Sequence, residues 1–464
     1  MKIKRFPDTL TIILVIMVLF VAMTWIIPAG EFDRETFGSK EIVIPGTYHV
    51  LAESYGQGLM DFLMAPIKGF QAAADIIAFV LLVGGAFSMV SSTGAITAAL
   101  YKVIGLARRR PKFKMWVIPL IMTLFSLGGS TFGMAEEVLV FILITIPLAR
   151  ALGYDSIVGI AMPFIGAGAG FAGAFINPFT MGIAQGIAGL PIGSGFGYRL
   201  FCWFVFTSVC TGFVMWYAKR IEKNPELSLV HEIDSQRKDE DLSSGDEIEF
   251  NLKRKMVLML LASAIGLLLV GVNYWGWYIE EIAALFVGLG LVVAITFRMN
   301  AHDASAAFVA GTKDVVTAAM VIGLSRGLLV LAEDGKIIDT MLFALSDAAS
   351  GFPKAVSIEI MFVFQTFLNF FIPSGSGQAA LTMPLMAPLS DLLGITRQCA
   401  VLAYQFGDGI SNLIIPTSGV TMGILEIAKV PYNKWFKWIM PLMIILTIVA
   451  ALLLLPPTIL FEWN

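Results

Sequence analysis

Apolar residues run along this chain in long stretches separated by short polar ones. Leu10–Ile27, Ala73–Val90, Tyr198–Tyr217, Met256–Val272, Ile282–Phe297, Ala304–Leu331 and Trp435–Leu455 read as membrane-crossing helices, since such a helix needs about 20 mostly apolar residues. Two places break the pattern. Met115–Leu127 and Val138–Ala151 are runs of roughly 13 residues, too short to cross comfortably. They flank Gly128-Gly129-Ser130-Thr131-Phe132-Gly133-Met134-Ala135-Glu136-Glu137. Phe352–Ile372 and Ala379–Leu393 flank Pro373-Ser374-Gly375-Ser376-Gly377-Gln378 in the same way. Glycines, hydroxyls and carboxylates at membrane depth are costly unless they line a wet cavity or a site. The pattern predicts two re-entrant hairpins, about 115–151 and 352–393, whose tips meet near the midplane around a small solute.

Two further stretches are too long and too interrupted for one straight helix. Ser156–Ala188 carries Gly166, Gly168, Gly170 and Gly173 before Asn177-Pro178-Phe179-Thr180. Ile395–Lys429 carries Gly407, Asp408, Gly409, Ser411, Asn412 and Pro416. Proline removes a backbone donor and disfavours helix before it, so both read as discontinuous transmembrane helices. Glu31–Gly58 is a polar excursion, Gly94–Ala107 a surface helix and Glu333–Ser350 an interfacial segment. Lys2, Lys4, Arg5 and the run Arg108-Arg109-Arg110-Pro111-Lys112-Phe113-Lys114 mark the cytoplasmic side. The expected organisation is a first unit at 1–219, a charged cytoplasmic linker at 220–255 and a second unit at 256–464, with the N-terminus inside and the C-terminus outside.

Composition fits this reading. Of 464 residues, 57% are hydrophobic and 14% charged, and the mean hydropathy is +0.82. That describes an all-α polytopic membrane protein. The net charge of −3 adds nothing, and no feature points to nucleic acid. Cys202, Cys210 and Cys399 lie in apolar runs without metal-type spacing and read as small core residues. His49, His231 and His302 lie outside the apolar runs, which argues against a buried zinc site or a histidine base. No cofactor pattern appears, and no Gly-x4-Gly-Lys-Ser/Thr loop for nucleotide.

The polar residues at membrane depth are the candidates for chemistry. Ser130 and Thr131 have hydroxyls for a carboxylate or an ion; the structural alternative is that they cap the helix after the tip. Glu136 and Glu137 suit a bound ammonium or guanidinium, or simply complement a helix N-terminus. Asn177 and Asn412 stand at helix breaks, where they contact solute or satisfy freed backbone groups. Ser374, Ser376 and Gln378 form the other tip. Asp408, and Glu426 nearer the surface, are acids in a broken helix, where burial favours a role. Thr180, Thr417 and Ser418 are candidate ligands of a coupling ion, Na⁺ or H⁺. Arg326 is an anion contact or an ion-pair partner.

The two halves can be compared at a shift of 241 positions. Gly94 and Ile96 fall on Gly335 and Ile337, Pro147-Leu148 on Pro388-Leu389, Leu152-Gly153 on Leu393-Gly394, and Thr180-Met181-Gly182-Ile183 on Thr421-Met422-Gly423-Ile424. An odd number of crossings separates the matching elements, so the repeats are expected to be inverted. Inverted repeats with broken helices belong to secondary transporters, with sites at the midplane between halves.

The tips, the Asn177-Pro178-Phe179-Thr180 break and the order of hairpins along the whole chain resemble the YfcC-like branch of the C4-dicarboxylate anaerobic carrier family, within the larger ion-transporter superfamily. That family includes relatives of arginine/ornithine antiporters. The resemblance implies a homodimer, a scaffold part and a transport part that moves as an elevator. The best-known dicarboxylate members carry a Ser-Asn-Thr tip, whereas the tips here read Gly-Ser-Thr and Ser-Gly-Ser. The leading expectation is therefore a secondary transporter of the inner membrane that carries an amino acid with a basic side chain. Glu136, Glu137 and Asp408 would crowd a dicarboxylate. A dicarboxylate carrier is the alternative. A channel is a remoter one, requiring a continuous pore, and an intramembrane enzyme would require an activated nucleophile.

Overall fold

The computed structural model describes residues 9–37, 40–44, 46–99, 102, 111–236, 250–277, 279–349, 352–461 and 463. The basic residues before position 9, Arg108–Arg110, most of the expected surface helix after Gly94 and the middle of the linker fall outside the described residues.

Helix α1 (Thr9–Ile26) leads into two short antiparallel strand pairs, β1 (Gly30–Glu31) with β4 (His49–Val50) and β2 (Arg34–Phe37) with β3 (Lys40–Val43). These strands are a small departure from the all-helical expectation. The excursion is tied to the helical body by Asp339, whose carboxylate accepts from the Phe32 amide (3.0 Å) and from Arg34 Nη2 (2.9 and 2.8 Å). Then come α2 (Leu59–Ala72), α3 (Ala74–Ser92), α4 (Pro111–Phe132), α5 (Val138–Ala151) and α6 (Ser156–Ala172). A π-helical turn (Pro178–Gly182) runs into α7 (Ile183–Ile187), followed by α8 (Phe196–Lys223) and α9 (His231–Gln236). The second half holds α10 (Leu252–Trp275), α11 (Ile279–Phe297), α12 (Ala301–Asp334), α13 (Ile338–Ala349), α14 (Lys354–Phe371), α15 (Gly375–Leu392), α16 (Arg397–Ser411), α17 (Gly419–Ile427) and α18 (Tyr432–Ile459).

Among the described residues six helices, α3, α8, α11, α12, α14 and α18, are long and apolar enough to cross a membrane. Both expected helix interruptions are present, after α6 and after α16. Helices α6 and α16 begin at Ser156 and Arg397, and the π turn and α17 begin at Pro178 and Gly419, each pair 241 positions apart.

Packing sorts the helices into two groups. The 34-residue α12, about 50 Å long, lies against α1, α2 and α3, and also meets α17 of the other group, while α3 packs on α11. In the other group α6 lies against α4 and α5, and α16 lies against α14 and α15. Helix α5 also meets α17, and α15 meets α7, so the second arm of each hairpin touches the broken helix of the other half. The three cysteines are buried and unpaired in disulfides, as expected of small core residues.

The linker begins as ordered structure, contrary to its highly charged composition. Asp234 of α9 accepts from the Ser156 amide (2.8 Å) and hydroxyl (2.5 Å) at the start of α6, where a helix favours negative charge. Asp155 beside it accepts from the Val158 amide (2.9 Å), the Tyr217 hydroxyl (2.6 Å) and the Ser228 hydroxyl (2.7 Å). Burial pushes the Asp155 carboxyl above the usual carboxylate range, against the pull of those hydrogen bonds.

Candidate functional site

The first tip is shorter than the glycines predict. Helix α4 continues through Gly128 and Gly129 to Phe132. Gly129 is required by packing: a Cβ there would lie 2.1 Å from the Ala167 carbonyl oxygen of α6. The helix stops at Gly133, whose φ of +71° favours glycine. Ser130 and Thr131 therefore sit in the last turn of α4, and both hydroxyls donate to the Leu127 carbonyl, at 3.0 and 2.6 Å. They do not cap the helix that follows. The open tip is Gly133–Glu137, and it rests on the first helix break, since a Cβ on Gly133 would lie 2.9 Å from the Asn177 amide. Glu137 occupies the position before α5, and its Oε2 accepts from the Ala135 amide (3.0 Å). Glu136 and Glu137 thus precede the helix instead of lying inside it.

The second tip is shorter still, Ile372–Ser374. Ser374 caps α15, its hydroxyl oxygen accepting from the Gly377 amide (3.4 Å). Ser376 and Gln378 then belong to the first turn of α15. Gln378 is fully buried and donates through Nε2 to the carbonyl (2.8 Å) and side-chain oxygen (2.7 Å) of Gln365, tying the arms of this hairpin together.

The helix breaks stand beside the tips. Asn177 is buried and caps the π turn, its Oδ1 accepting from the Phe179 amide (2.9 Å). Asn412 ends α16; its Nδ2 donates to Asp408 Oδ1 (3.1 Å) and its carbonyl accepts from the Thr421 hydroxyl. Ser418 caps α17, accepting from the Thr421 amide (3.3 Å).

Tips and breaks enclose a cavity of about 610 Å³. The first tip contributes Gly133–Val138, the second Pro373–Ser376, and the breaks Thr180, Asn412 and Ser418. Phe164, Phe171 and Phe179 supply apolar wall. The other helix group closes the cavity with Asp75 at the start of α3, Trp277 between α10 and α11, and Arg326 in α12. The charged lining is thus three carboxylates, Asp75, Glu136 and Glu137, against one guanidinium. A second cavity of about 390 Å³ shares Arg326 and Ser374 with the first and is also lined by Arg34, Glu333, Lys336 and Asp339.

A protein-family profile described as C4-dicarboxylate anaerobic carrier matches residues 6–457. The chain belongs to that family. An Escherichia coli (strain K12) protein named "Putative basic amino acid antiporter YfcC" is 37% identical over 472 residues, spanning 93% of this chain and 92% of its own. An uncharacterized Haemophilus influenzae protein is 30% identical over 498 residues, spanning 98% and 97%. The Alcanivorax borkumensis YdaH transporter is a solved structure at 17% identity and a TM-score of 0.42, with 97% of this chain and 98% of that chain covered. Neisseria gonorrhoeae MtrF, described with a class of antimetabolite efflux pumps, gives 17% and 0.43, with 99% and 97% covered. The family is one of carriers and the E. coli relative is named an antiporter, so this protein is an integral membrane carrier of small solutes and not an enzyme.

Of the residues expected at the carrier's site, the cavity brings together Glu136, Glu137, Thr180, Ser374, Ser376, Asn412 and Ser418, with Arg326. Ser130, Thr131, Asn177, Gln378, Asp408 and Thr417 do not line it. The Ser130 hydroxyl is taken up in its own helix, Gln378 bonds Gln365 of the other arm, Asn177 supports Gly133, and Asp408 and Thr417 are buried. Sequence reasoning missed Asp75 and Trp277, each a single residue at a helix end facing elements far away in the chain. The signal for Asp75 was a lone acid at the edge of an apolar run.

Proposed function

We propose that this carrier is a secondary transporter of an amino acid with a cationic side chain. The observation that carries the reading is the cavity's charge: Asp75, Glu136 and Glu137 face a single Arg326. A side-chain ammonium or guanidinium meets Glu136 or Glu137. The substrate carboxylate meets the α15 N-terminus, capped by Ser374, and Arg326. The printed name of the E. coli relative supports the same class.

The coincidence of helix starts at a shift of 241 supports an internal duplication, 1–219 and 256–464 about the linker at 220–255. We take these units as inverted repeats of an inner-membrane protein with the N-terminus inside and the C-terminus outside. The hairpin group, α4–α8 with α14–α18, is the transport part. The α12 group is the scaffold, through which two copies associate as a homodimer, and the transport part moves against it as an elevator. Glu136, Glu137, Ser374, Ser376 and Asn412 bind solute, and Thr180 and Ser418 stand nearest to any coupling ion.

A C4-dicarboxylate is the second reading, favoured by Arg326 beside the α15 N-terminus and by the family's description. Competition against a labelled basic amino acid in proteoliposomes separates the two. Arginine, ornithine and lysine should compete, and succinate and fumarate should not. The opposite pattern hands the site to the dicarboxylate.

A further inference from the structure

Arg326 of α12 and Ser374 at the start of α15 line both cavities. On the reading above both are contacts of the solute's carboxylate. The acids divide instead. Glu136 and Glu137 line the larger cavity and not the smaller, whereas Glu333 lines the smaller and not the larger. The other charges of the smaller cavity are already spent. Asp339 accepts from the Phe32 amide and from Arg34 Nη2, and Lys336 Nζ pairs with Glu31 Oε2 at 3.4 Å. These contacts, with the Gly30 amide donating to the Lys336 carbonyl at 3.0 Å, fasten the strands to the outer end of α12. Among the described residues Arg326 and Glu333 have no ion-pair partner. One cation and one anion are left facing the smaller cavity.

These two residues stand seven positions apart on α12. Seven residues are close to two turns, so both side chains leave the same face of the helix, about 10 Å apart along its axis. A guanidinium and a carboxylate held on one rigid rod at that spacing suit a long molecule with opposite charges at its ends. Extended lysine or arginine is such a molecule, with a carboxylate at one end and a cation at the other. Leu329 lies between the two on α12, and Ile338, Ile372 and Leu381 add apolar wall for the methylene stem.

We propose that the smaller cavity is an antechamber, in which a cationic amino acid is held between Arg326 and Glu333 before it turns about its carboxylate into the larger cavity. The carboxylate stays with Arg326 and Ser374 throughout. Only the cationic end changes hands, from Glu333 to Glu136 or Glu137. One guanidinium serves both positions, so they are successive stations for one solute and not two sites filled together. The inference rests on the cationic-substrate reading and adds Glu333 to it.

The test is uptake of labelled lysine by right-side-out and by everted membrane vesicles containing the full chain, corrected with vesicles that lack it. The antechamber opens beside the strands, so it serves entry from one face only. Glu333→Gln should raise KM in one vesicle orientation by about 3- to 5-fold, the worth of one partly exposed charge contact. KM in the other orientation and the maximal rate in both should not change. Competition by 2,4-diaminobutyrate, a cation too short to span two helix turns, should be the same in the variant as in the wild type. An unchanged KM in both orientations overturns the proposal and leaves the substrate reading standing. A rise of equal size in both orientations also overturns it, by placing Glu333 in the larger site. An equal loss for 2,4-diaminobutyrate overturns it too, since Glu333 then acts only through its field. A wild type that carries succinate and not lysine removes the substrate reading and this proposal together.

Discussion

The two hairpin tips occupy matching places in the two halves and meet one cavity, yet they are built differently. The first is an open stretch of five residues, Gly133–Glu137, that brings two carboxylates to the cavity. The second is three residues, Ile372–Ser374, after which α15 starts at once and turns its N-terminus toward the site. One tip offers negative charge and the other offers backbone N–H groups and the partial positive charge of a helix end. On the proposed reading, a zwitterion with a cationic side chain bridges such a pair.

The comparison is broken most directly at the acidic tip. Glu137→Gln should weaken competition by arginine or lysine by about 10- to 100-fold, roughly 1.4–2.7 kcal/mol, and leave neutral analogues nearly unaffected. Ser376→Ala at the other tip should cost about 2- to 10-fold for any solute whose carboxylate it meets. Equal losses for cationic and neutral solutes in Glu137→Gln would remove the division of labour.

The backbones differ as well. Gly133→Ala places a side chain at φ +71° and 2.9 Å from Asn177, and should lower stability by about 1–2 kcal/mol. Gly377→Ala lies in the first turn of α15, with Ser374 Oγ at 3.1 Å as its nearest neighbour. It should change stability by less than about 0.5 kcal/mol, because helix propensity favours alanine there. Thermal unfolding of both variants in one detergent checks this, and a Gly133→Ala variant as stable as Gly377→Ala would sink the account of the first tip.

No effect on solute binding is expected at Ser130→Ala. Its hydroxyl bonds only the Leu127 carbonyl of its own helix, so solute competition should be unchanged and stability should fall by no more than about 1 kcal/mol. A loss of binding as large as that of Ser376→Ala would return Ser130 to the site.

Much of the fold was legible because it rests on apolar length and on proline. The run Val138–Ala151 is α5 without adjustment; the break lies near Asn177-Pro178 as expected, although α6 stops at Ala172 and Pro178 opens the following turn. The tip was misplaced for a tertiary reason. Gly128-Gly129 reads as a breaker, but Gly129 is small because α6 passes within contact of its Cα. Ser130 and Thr131 were drawn into the candidate site by that error. Asp408 lies off the cavity wall for another reason. Successive helix positions differ by about 100°, so Gly409 faces the cavity while its neighbour does not, and sequence alone does not give the rotation. Asp75, Trp277 and Arg326 reach the cavity from three separate helix regions, and no spacing pattern links them.

The acidic first tip also bears on the empty carrier. Ionised and without a solute, Glu136 and Glu137 would take two negative charges through the membrane on the return stroke. Each charge feels about 2.3 kcal/mol per 100 mV of membrane potential, in addition to the penalty of a low-dielectric path. A cationic amino acid leaves one net charge to move instead of two. If the carrier moves as proposed, the unloaded stroke is the slow one, and a second solute carried in the opposite direction relieves it. On the proposed reading, one-for-one exchange is the expected mode of such a carrier.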